Sequence, residues 1–233
     1  MTMSHFQESA DGPRFTPGPD DERRMREPVF NRGAWPVLAL VGAIVGGYAL
    51  QSRVDVDTVA AAFAFTPDSL ATGRWWTLFS SQFLHGGWSH ALMNAAFILA
   101  FGTPVARFFG LGLPGALLFY AFYLTCGALA ALGFAAVHPG QAVALIGASG
   151  AASGLMGAAA RLIAGYGRVG PILSRPVIGM GAAWLIVNLI MAVVGAALVP
   201  GAGDAAVGWE AHLAGFAAGV LVIGPFGWLA RRG

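Results

Sequence analysis

The sequence has little charge, a single cysteine and no lysine. Only 10% of its 233 residues are charged and 57% are hydrophobic, whereas a soluble domain carries about a quarter charged residues. This composition excludes an ordinary soluble domain and predicts a multi-pass membrane protein. The net charge is only +2 and the arginines are scattered, so we expect no nucleic-acid partner.

The single cysteine, Cys126, lies in an apolar run. One thiol can form neither an internal disulfide nor a cysteine metal cage, so both kinds of scaffold are excluded. We expect Cys126 to be a small core residue.

The first 33 residues differ from the rest of the chain. They contain four prolines, five arginines and six acidic residues, with no hydrophobic periodicity. We interpret residues 1–33 as a flexible cytosolic tail and residues 34–230 as a membrane domain.

Six apolar runs reach the length of about 17 to 25 residues that a membrane-spanning helix needs. The long link between the first two runs, residues 51–86, is amphipathic and rich in Phe and Trp, which is typical of the membrane–water interface. The predicted spans are 34–50, 87–106, 113–136, 142–164, 177–199 and 208–229.

Arginine placement predicts the orientation of these spans. Eleven of the thirteen arginines fall on the side of the termini, and Arg53 and Arg74 fall on the other side. The positive-inside rule therefore predicts that both termini are cytosolic. The lack of lysine and the abundance of Ala and Gly suggest a bacterial gene of high GC content, so we expect a bacterial inner-membrane protein.

The second, fourth and sixth runs carry polar residues near the ends that this topology assigns to the outside. His90 and Asn94 are four positions apart and share one helix face, Ser149 lies in the fourth run, and His212 lies in the sixth. With a helical rise of about 1.5 Å per residue, all four fall in the outer half of the bilayer. Polar groups at this depth are costly, and we expect them to meet partners or a wet cavity.

These residue types suit acyl transfer. A serine is a poor nucleophile unless a neighbouring base accepts its proton, and a histidine such as His212 titrates in the right range for that role. His90, Asn94 and the backbone N–H groups near Ser149 could donate hydrogen bonds to an oxyanion. Glycines spaced along the fourth and sixth runs would let the two helices approach closely enough for the pair to form. A metal site of His85, His90 and His212 is a weaker alternative, because serine and asparagine neighbours do not suit zinc.

Each polar residue also has a structural interpretation. A Gly-x-Ser-Gly segment in an apolar run is most often a packing motif, and an intramembrane histidine is commonly a hydrogen-bonded structural residue. For the remaining polar residues, we expect Ser153 to bond its own backbone or to pack as a small residue, and Asn188 to bond a neighbouring helix. We expect Glu210 to be solvated near the outer mouth and His85 to be structural or interfacial.

Taken together, the sequence resembles the rhomboid family of intramembrane serine proteases over roughly residues 34–230. The order of the matching motifs and their positions on the second, fourth and sixth spans agree with that family. The resemblance implies an all-α membrane protein, a six-transmembrane-helix rhomboid bundle with an amphipathic, partly membrane-embedded loop between helices 1 and 2. The matching motifs are His85-x4-His90-x3-Asn94, Gly147-Ala148-Ser149-Gly150, and Ala211-His212-Leu213-Ala214-Gly215 with Gly219.

By the same resemblance, Ser149 is the nucleophile and His212 the general base. His90, Asn94 and the backbone N–H of Ser149 are then the oxyanion-binding groups. The family implies no cofactor and no metal. Its substrates are transmembrane segments of other proteins in the lipid bilayer, cut near the outer face and often at small residues, and the fifth span resembles the lateral gate. The sequence makes no prediction of oligomeric state.

Two positions depart from the family pattern. The family often has a Trp-Arg pair nine and eight residues before the position of His85, but this sequence has Trp76 and Thr77 there, with Arg74 nearby. Four residues after the nucleophile, where an aromatic ring often stacks on the catalytic histidine, this sequence has Ser153. We therefore expect another hydrogen bond or another ring to orient His212.

Two other functions stay open. A non-catalytic rhomboid-like protein could bind membrane-protein clients, although such relatives typically lack the serine or the histidine. A transporter or channel would show internal repeats or several charges deep within its spans, and neither is evident in this sequence.

Overall fold

The computed structural model describes residues 34–141, 143–194 and 208–231, and these are almost entirely helical. In these ranges, paired extended backbone is limited to two isolated bridges, Phe65 with Leu145 and Gly165 with Arg168. The predicted tail, residues 1–33, lies outside the described residues. The boundary between tail and membrane domain therefore stays a prediction.

Helices occupy the positions of all six apolar runs. Three short α-helices and one 3₁₀ helix, Ser81–Phe83, lie in the link between the first two. The short helices are α2 Val56–Phe63, α3 Pro67–Ala71 and α4 Thr77–Ser80. The longer helices are α1 Trp35–Gln51, α5 Trp88–Phe109, α6 Leu113–Val137, α7 Ser149–Ala164, α8 Arg175–Val194 and α9 Trp209–Ala230.

Four of these helices, α5, α6, α8 and α9, are long and apolar enough to cross a membrane. The other two are shorter, with 17 residues in α1 and 16 in α7. A helix of 16 residues is about 24 Å long, which is less than the hydrocarbon thickness of about 30 Å. A bundle of six transmembrane helices thus remains a prediction, and four spans are supported.

The predicted start of the fourth span at residue 142 is wrong, because helix α7 begins at Ser149. Gly147 just before it has φ +116°, a conformation that favours glycine and is incompatible with a continuing helix. Its N–H donates to the carbonyl oxygen of Ser81 at 2.9 Å. Hydropathy could not detect this boundary, since the residues on both sides of it are apolar. The predicted end of the fifth span at residue 199 lies outside the described residues.

Helix α7 lies at the centre of the bundle and packs against α5, α6, α8 and α9. Twelve of its sixteen residues are buried, and most of these are Gly or Ala. Small residues on all sides allow neighbouring backbones to approach, which is how membrane helices gain packing energy without a hydrophobic driving force.

Helices α7 and α9 are in backbone contact at their glycines. A Cβ atom added at Gly215 would overlap the carbonyl oxygen of Gly150, and one added at Gly219 would overlap that of Gly154. A Cβ atom added at Gly154 itself would overlap Cys126 of α6. Cys126 is fully buried there as a small core residue, as predicted.

Helix α8 is peripheral. In the described part of α8, Val177 and Asn188 are the buried residues. Its other side chains are partly or largely exposed, and most of them are apolar, which suits contact with lipid. Asn188 is therefore a buried polar residue on a helix whose surface is otherwise suited to hydrocarbon.

The link between α1 and α5 is anchored by Arg74. Its Nη2 donates to the carbonyl oxygens of Ala61 and Ala62, at 2.6 and 2.8 Å, so the guanidinium caps the carboxyl end of α2. The same group lies 5.8 Å from the ring centre of Trp76. Trp75 and Trp76 are more than half exposed, which suits the expected interfacial position. The partial embedding of this link in the membrane stays a prediction.

Candidate active site

Ser149 is the first residue of α7 and is partly exposed. The first backbone N–H groups of a helix have no partner within that helix, and the helix dipole favours negative charge at this end. Ser149 thus lies at the end of α7 whose backbone N–H groups have no partners within the helix.

His212 lies in the first turn of α9 and faces Ser149. Its Nε2 is 2.8 Å from Ser149 Oγ. The two residues are 63 positions apart in the sequence, and the glycine contacts between α7 and α9 bring them together. The sequence predicted this proximity from motif spacing and small-residue packing.

The other ring nitrogen of His212 meets Asn188 of α8. His212 Nδ1 is 2.7 Å from Asn188 Oδ1, and Asn188 Nδ2 donates to the carbonyl oxygen of Trp184 at 2.8 Å. The sequence predicted a bond from Asn188 to a neighbouring helix but not its partner. The ring centre of Trp184 lies 5.7 Å from that of His212, with an angle of 35° between the planes.

Ser153 forms the hydrogen bond that the sequence predicted. Its Oγ donates to the backbone carbonyl of Ser149 at 2.7 Å, one turn back in the same helix. Its hydroxyl is therefore occupied, and His212 instead takes its contacts from Asn188 and Trp184 of α8.

His90 and Asn94 of α5 lie against the chain just before Ser149. A Cβ atom at Gly147 would be 2.7 Å from His90 Nε2 and 3.7 Å from Asn94 Nδ2, so glycine is needed here for space as well as for its φ. Asn94 is 5% exposed, and its Nδ2 has no hydrogen-bond partner among the described residues. A buried donor without a partner is costly, and this one is available to an acceptor bound beside Ser149.

The ring of His85 packs against the ring of His90. Its ring is buried and lies edge-on to the ring of His90, with 5.1 Å between ring centres. The side-chain amide of Gln51 holds the backbone of His85 through two hydrogen bonds of 2.8 and 3.0 Å. Burial, with a contribution from His90, lowers the pKa of His85 to about 4, so the ring is neutral at ordinary pH. This fits the structural role expected for it.

The sequence predicted a solvated Glu210, but in the structure its side chain pairs with His138. Its Oε1 is 3.2 Å from Nε2 of His138 at the carboxyl end of α6, and both side chains are mostly buried. The pair links the first turn of α9 to the last turn of α6. Sequence reasoning missed it because the two residues are 72 positions apart and His138 belongs to no motif.

A small cavity opens beside Ser149. Glycine and alanine residues of α6, α7 and α9 form much of its lining, including Gly127, Ala130 and Ala211. The cavity measures about 10 Å³, which accommodates a group no larger than a water molecule.

These features define a helical membrane protein with a serine–histidine pair at the adjoining ends of two closely packed helices. The rhomboid-domain family model matches residues 72–228, which is more than half of the chain. The chain therefore belongs to the rhomboid family, whose members are generally intramembrane serine proteases, although inactive members exist. A search of curated proteins returned no match.

Proposed function

We propose that this protein is an active intramembrane serine protease that hydrolyses peptide bonds in or near transmembrane segments of other membrane proteins. The observation that carries the proposal is the 2.8 Å contact between Ser149 Oγ and His212 Nε2. Family membership supports it, since most relatives are proteases. Both residues that inactive relatives typically lack are present.

In the first half of the reaction, Ser149 Oγ attacks the scissile carbonyl carbon while His212 Nε2 accepts the hydroxyl proton. The carbonyl becomes a tetrahedral oxyanion. His212 then gives its proton to the leaving amine as the C–N bond breaks, which leaves an acyl ester on Ser149. Water attacks this ester, again with His212 as base, and releases the acid and the free serine.

Asn94 Nδ2, His90 Nε2 and the N–H of Ser149 are the oxyanion donors in this proposal. Gly86 N–H donates to His90 Nδ1 at 3.4 Å, so the hydrogen of a neutral His90 ring is on Nε2. That nitrogen faces Gly147 at the mouth of the site. Donors placed in advance stabilise the developing charge without reorganisation.

The substrate is a transmembrane segment with a small residue at the cut. The cavity beside Ser149 is too small for a large side chain, which supports this preference. A helical peptide bond is shielded by its own hydrogen bonds, so the segment must unwind locally to present its carbonyl to Ser149. We further propose that the protein lies in a bacterial inner membrane with both termini in the cytosol.

The test compares Ser149→Ala and His212→Ala with Ser153→Ala, a matched control. Ser153 lies on the same helix but its hydroxyl is bonded to its own backbone. With a co-expressed membrane protein as substrate, we expect the first two variants to lose cleavage, and Ser153→Ala to retain it, at equal protein levels.

A fluorophosphonate probe supplies the second readout on purified protein. We expect labelling that maps to Ser149 and is lost in Ser149→Ala. Cleavage retained in Ser149→Ala or His212→Ala would contradict the assigned roles. A folded wild-type protein that neither cleaves nor labels would support the non-catalytic alternative, in which the same fold binds membrane-protein clients.

A further inference from the structure

We propose that Asn188 is a positioning residue for His212 and completes a relay of three side chains that ends on the backbone of α8. The inference deepens the proposed function and rests on it for its kinetic consequence. It concerns the orientation and protonation of the imidazole, which the serine–histidine contact alone leaves open.

The direction of each hydrogen bond in the relay follows from the acceptor at its end, the backbone carbonyl of Trp184. The carbonyl oxygen of Trp184 can only accept, so the atom of Asn188 that faces it must be the amide Nδ2. The amide oxygen of Asn188 therefore faces His212 Nδ1 and must accept from it. Because Nδ1 of a neutral imidazole then carries the hydrogen, Nε2 keeps its lone pair toward Ser149 Oγ.

This is the tautomer that a general base requires. A ring with its hydrogen on Nε2 would donate to the serine and could not accept its proton. Asn188 selects the productive tautomer by presenting an acceptor to Nδ1, and when the imidazolium forms, the same bond retains the Nδ1 proton. The amide is neutral, so it stabilises the imidazolium less than a carboxylate would.

The position of Asn188 on α8 gives an independent argument. Asn188 is 1% exposed, whereas its neighbours Val187 and Leu189 are almost half exposed. An apolar side chain at this buried position would avoid the cost of a polar group within a membrane helix. The chain instead has an amide here, and both polar atoms of that amide are hydrogen-bonded. The need of His212 Nδ1 for an acceptor explains this choice of residue.

Trp184, one turn before Asn188, limits the remaining freedom of the imidazole. Its ring lies 5.7 Å from that of His212, on the same helix as Asn188. Helix α8 therefore supplies both the acceptor and the ring that orient His212. The nucleophile's own helix supplies neither, since Ser153 is bonded to its own backbone.

The test uses Asn188→Leu, Asn188→Asp and the neighbouring control Leu189→Ala. Leucine removes the acceptor, whereas aspartate retains an oxygen for Nδ1, loses the bond to Trp184 and adds a negative charge. Loss of the productive tautomer costs about 10⁴ in kcat where the orienting group is a carboxylate. With the weaker amide, we expect Asn188→Leu to lower kcat about 10- to 100-fold with KM nearly unchanged. We expect Asn188→Asp to recover most of this loss and Leu189→Ala to resemble wild type.

Nitrogen-15 NMR of histidine-labelled protein reads the tautomer without any need for activity. The His212 signals are assigned by their absence in His212→Ala. We expect Nδ1 to be protonated in wild type and in Asn188→Asp, and the Nδ1-protonated form to lose its dominance in Asn188→Leu.

The outcomes separate this inference from the proposed function. If wild type cleaves substrate but Asn188→Leu leaves kcat and the His212 signals unchanged, the positioning role is overturned and the protease proposal stands. If wild type does not cleave at all, the protease proposal fails, and the NMR signals still decide the positioning role. If Asn188→Leu does not fold, two other results would overturn the positioning role. One is a wild-type protein in which His212 is protonated on Nε2. The other is an Asn188→Asp variant with no measurable kcat.

Discussion

At the scale of single residues, the notable feature is how His212 is held. Ser153, one turn after Ser149 on α7, bonds its own helix and offers no ring to His212. The imidazole instead contacts Asn188 and Trp184 of α8. A hydrogen bond specifies the tautomer as well as the angle of the ring, whereas stacking constrains only the plane.

Asn94 offers a test of the oxyanion site at the same scale. Because its Nδ2 is buried and has no hydrogen-bond partner in the part of the chain that the structure describes, we expect Asn94→Ala to lower kcat about 10²- to 10³-fold, the usual cost of one lost oxyanion donor. KM should change little, since the donor acts on charge that develops in the transition state. Steady-state cleavage assays measure both constants.

The control for this prediction is Met93→Ala, the exposed neighbour of Asn94 on α5. We expect it to retain wild-type kcat. A variant Asn94→Ala with raised KM and unchanged kcat would mean that Asn94 only binds the substrate in its ground state.

At the scale of helices, the contact between α7 and α9 determines whether the serine and histidine can meet. The two helices touch where Gly215 and Gly219 of α9 lie against Gly150 and Gly154 of α7. A Cβ atom added at Gly215 or Gly219 would overlap the backbone of α7. Backbone cannot move aside as a flexible side chain can, so even one methyl group must push the helices apart. The separation between Ser149 and His212 depends on the same contact.

Gly219→Ala tests this contact far from the reacting atoms. An added Cβ would overlap the carbonyl of Gly154, and overpacking of this kind costs about 1–3 kcal/mol. We therefore expect a lower midpoint of thermal unfolding in detergent, together with reduced fluorophosphonate labelling of Ser149 at temperatures where the variant is still folded.

Gly46→Ala on α1 is the matched control, because a Cβ at Gly46 would meet nothing within 4 Å. Alanine is the better helix former by roughly 0.5–1 kcal/mol, so this variant should be as stable as wild type or slightly more stable. Equal stability of the Gly219→Ala and Gly46→Ala proteins would contradict the role of the α7–α9 contact.

At the scale of the whole molecule, the arginines predict how the protein lies in the membrane. The link between α7 and α8 contains Arg168, and Arg175 begins α8, on the side predicted to be cytosolic. The link between α1 and α5 contains Arg53 and Arg74 on the other side. The orientation is a prediction that cysteine labelling in whole cells can test.

Cysteine accessibility suits this protein because its native thiol, Cys126, is fully buried. We expect Asp57→Cys, in the exposed first turn of α2, to react with a membrane-impermeant maleimide in intact spheroplasts. We expect Leu173→Cys, which is 85% exposed between α7 and α8, to react only after permeabilisation. The reverse pattern would invert the proposed topology.

From the sequence alone, hydropathy identified the four helices that, in the described part of the chain, are long and apolar enough to span a membrane. It could do so because the need to bury apolar surface is a local property of each run. It also indicated the family, which the domain match later showed, because three short motifs retained their order and spacing. The expected burial of Cys126 and the backbone bond of Ser153 followed from residue type, and the structure bears out both.

The tertiary structure decided what depends on contacts between distant segments. The start of α7 at Ser149 depends on the left-handed turn at Gly147, which hydropathy does not register. The partner of Asn188 and the pairing of Glu210 with His138 join residues 24 and 72 positions apart. Such pairs form because helix packing brings their side chains within hydrogen-bond reach, and no pattern within either helix specifies which residue of another helix it will meet.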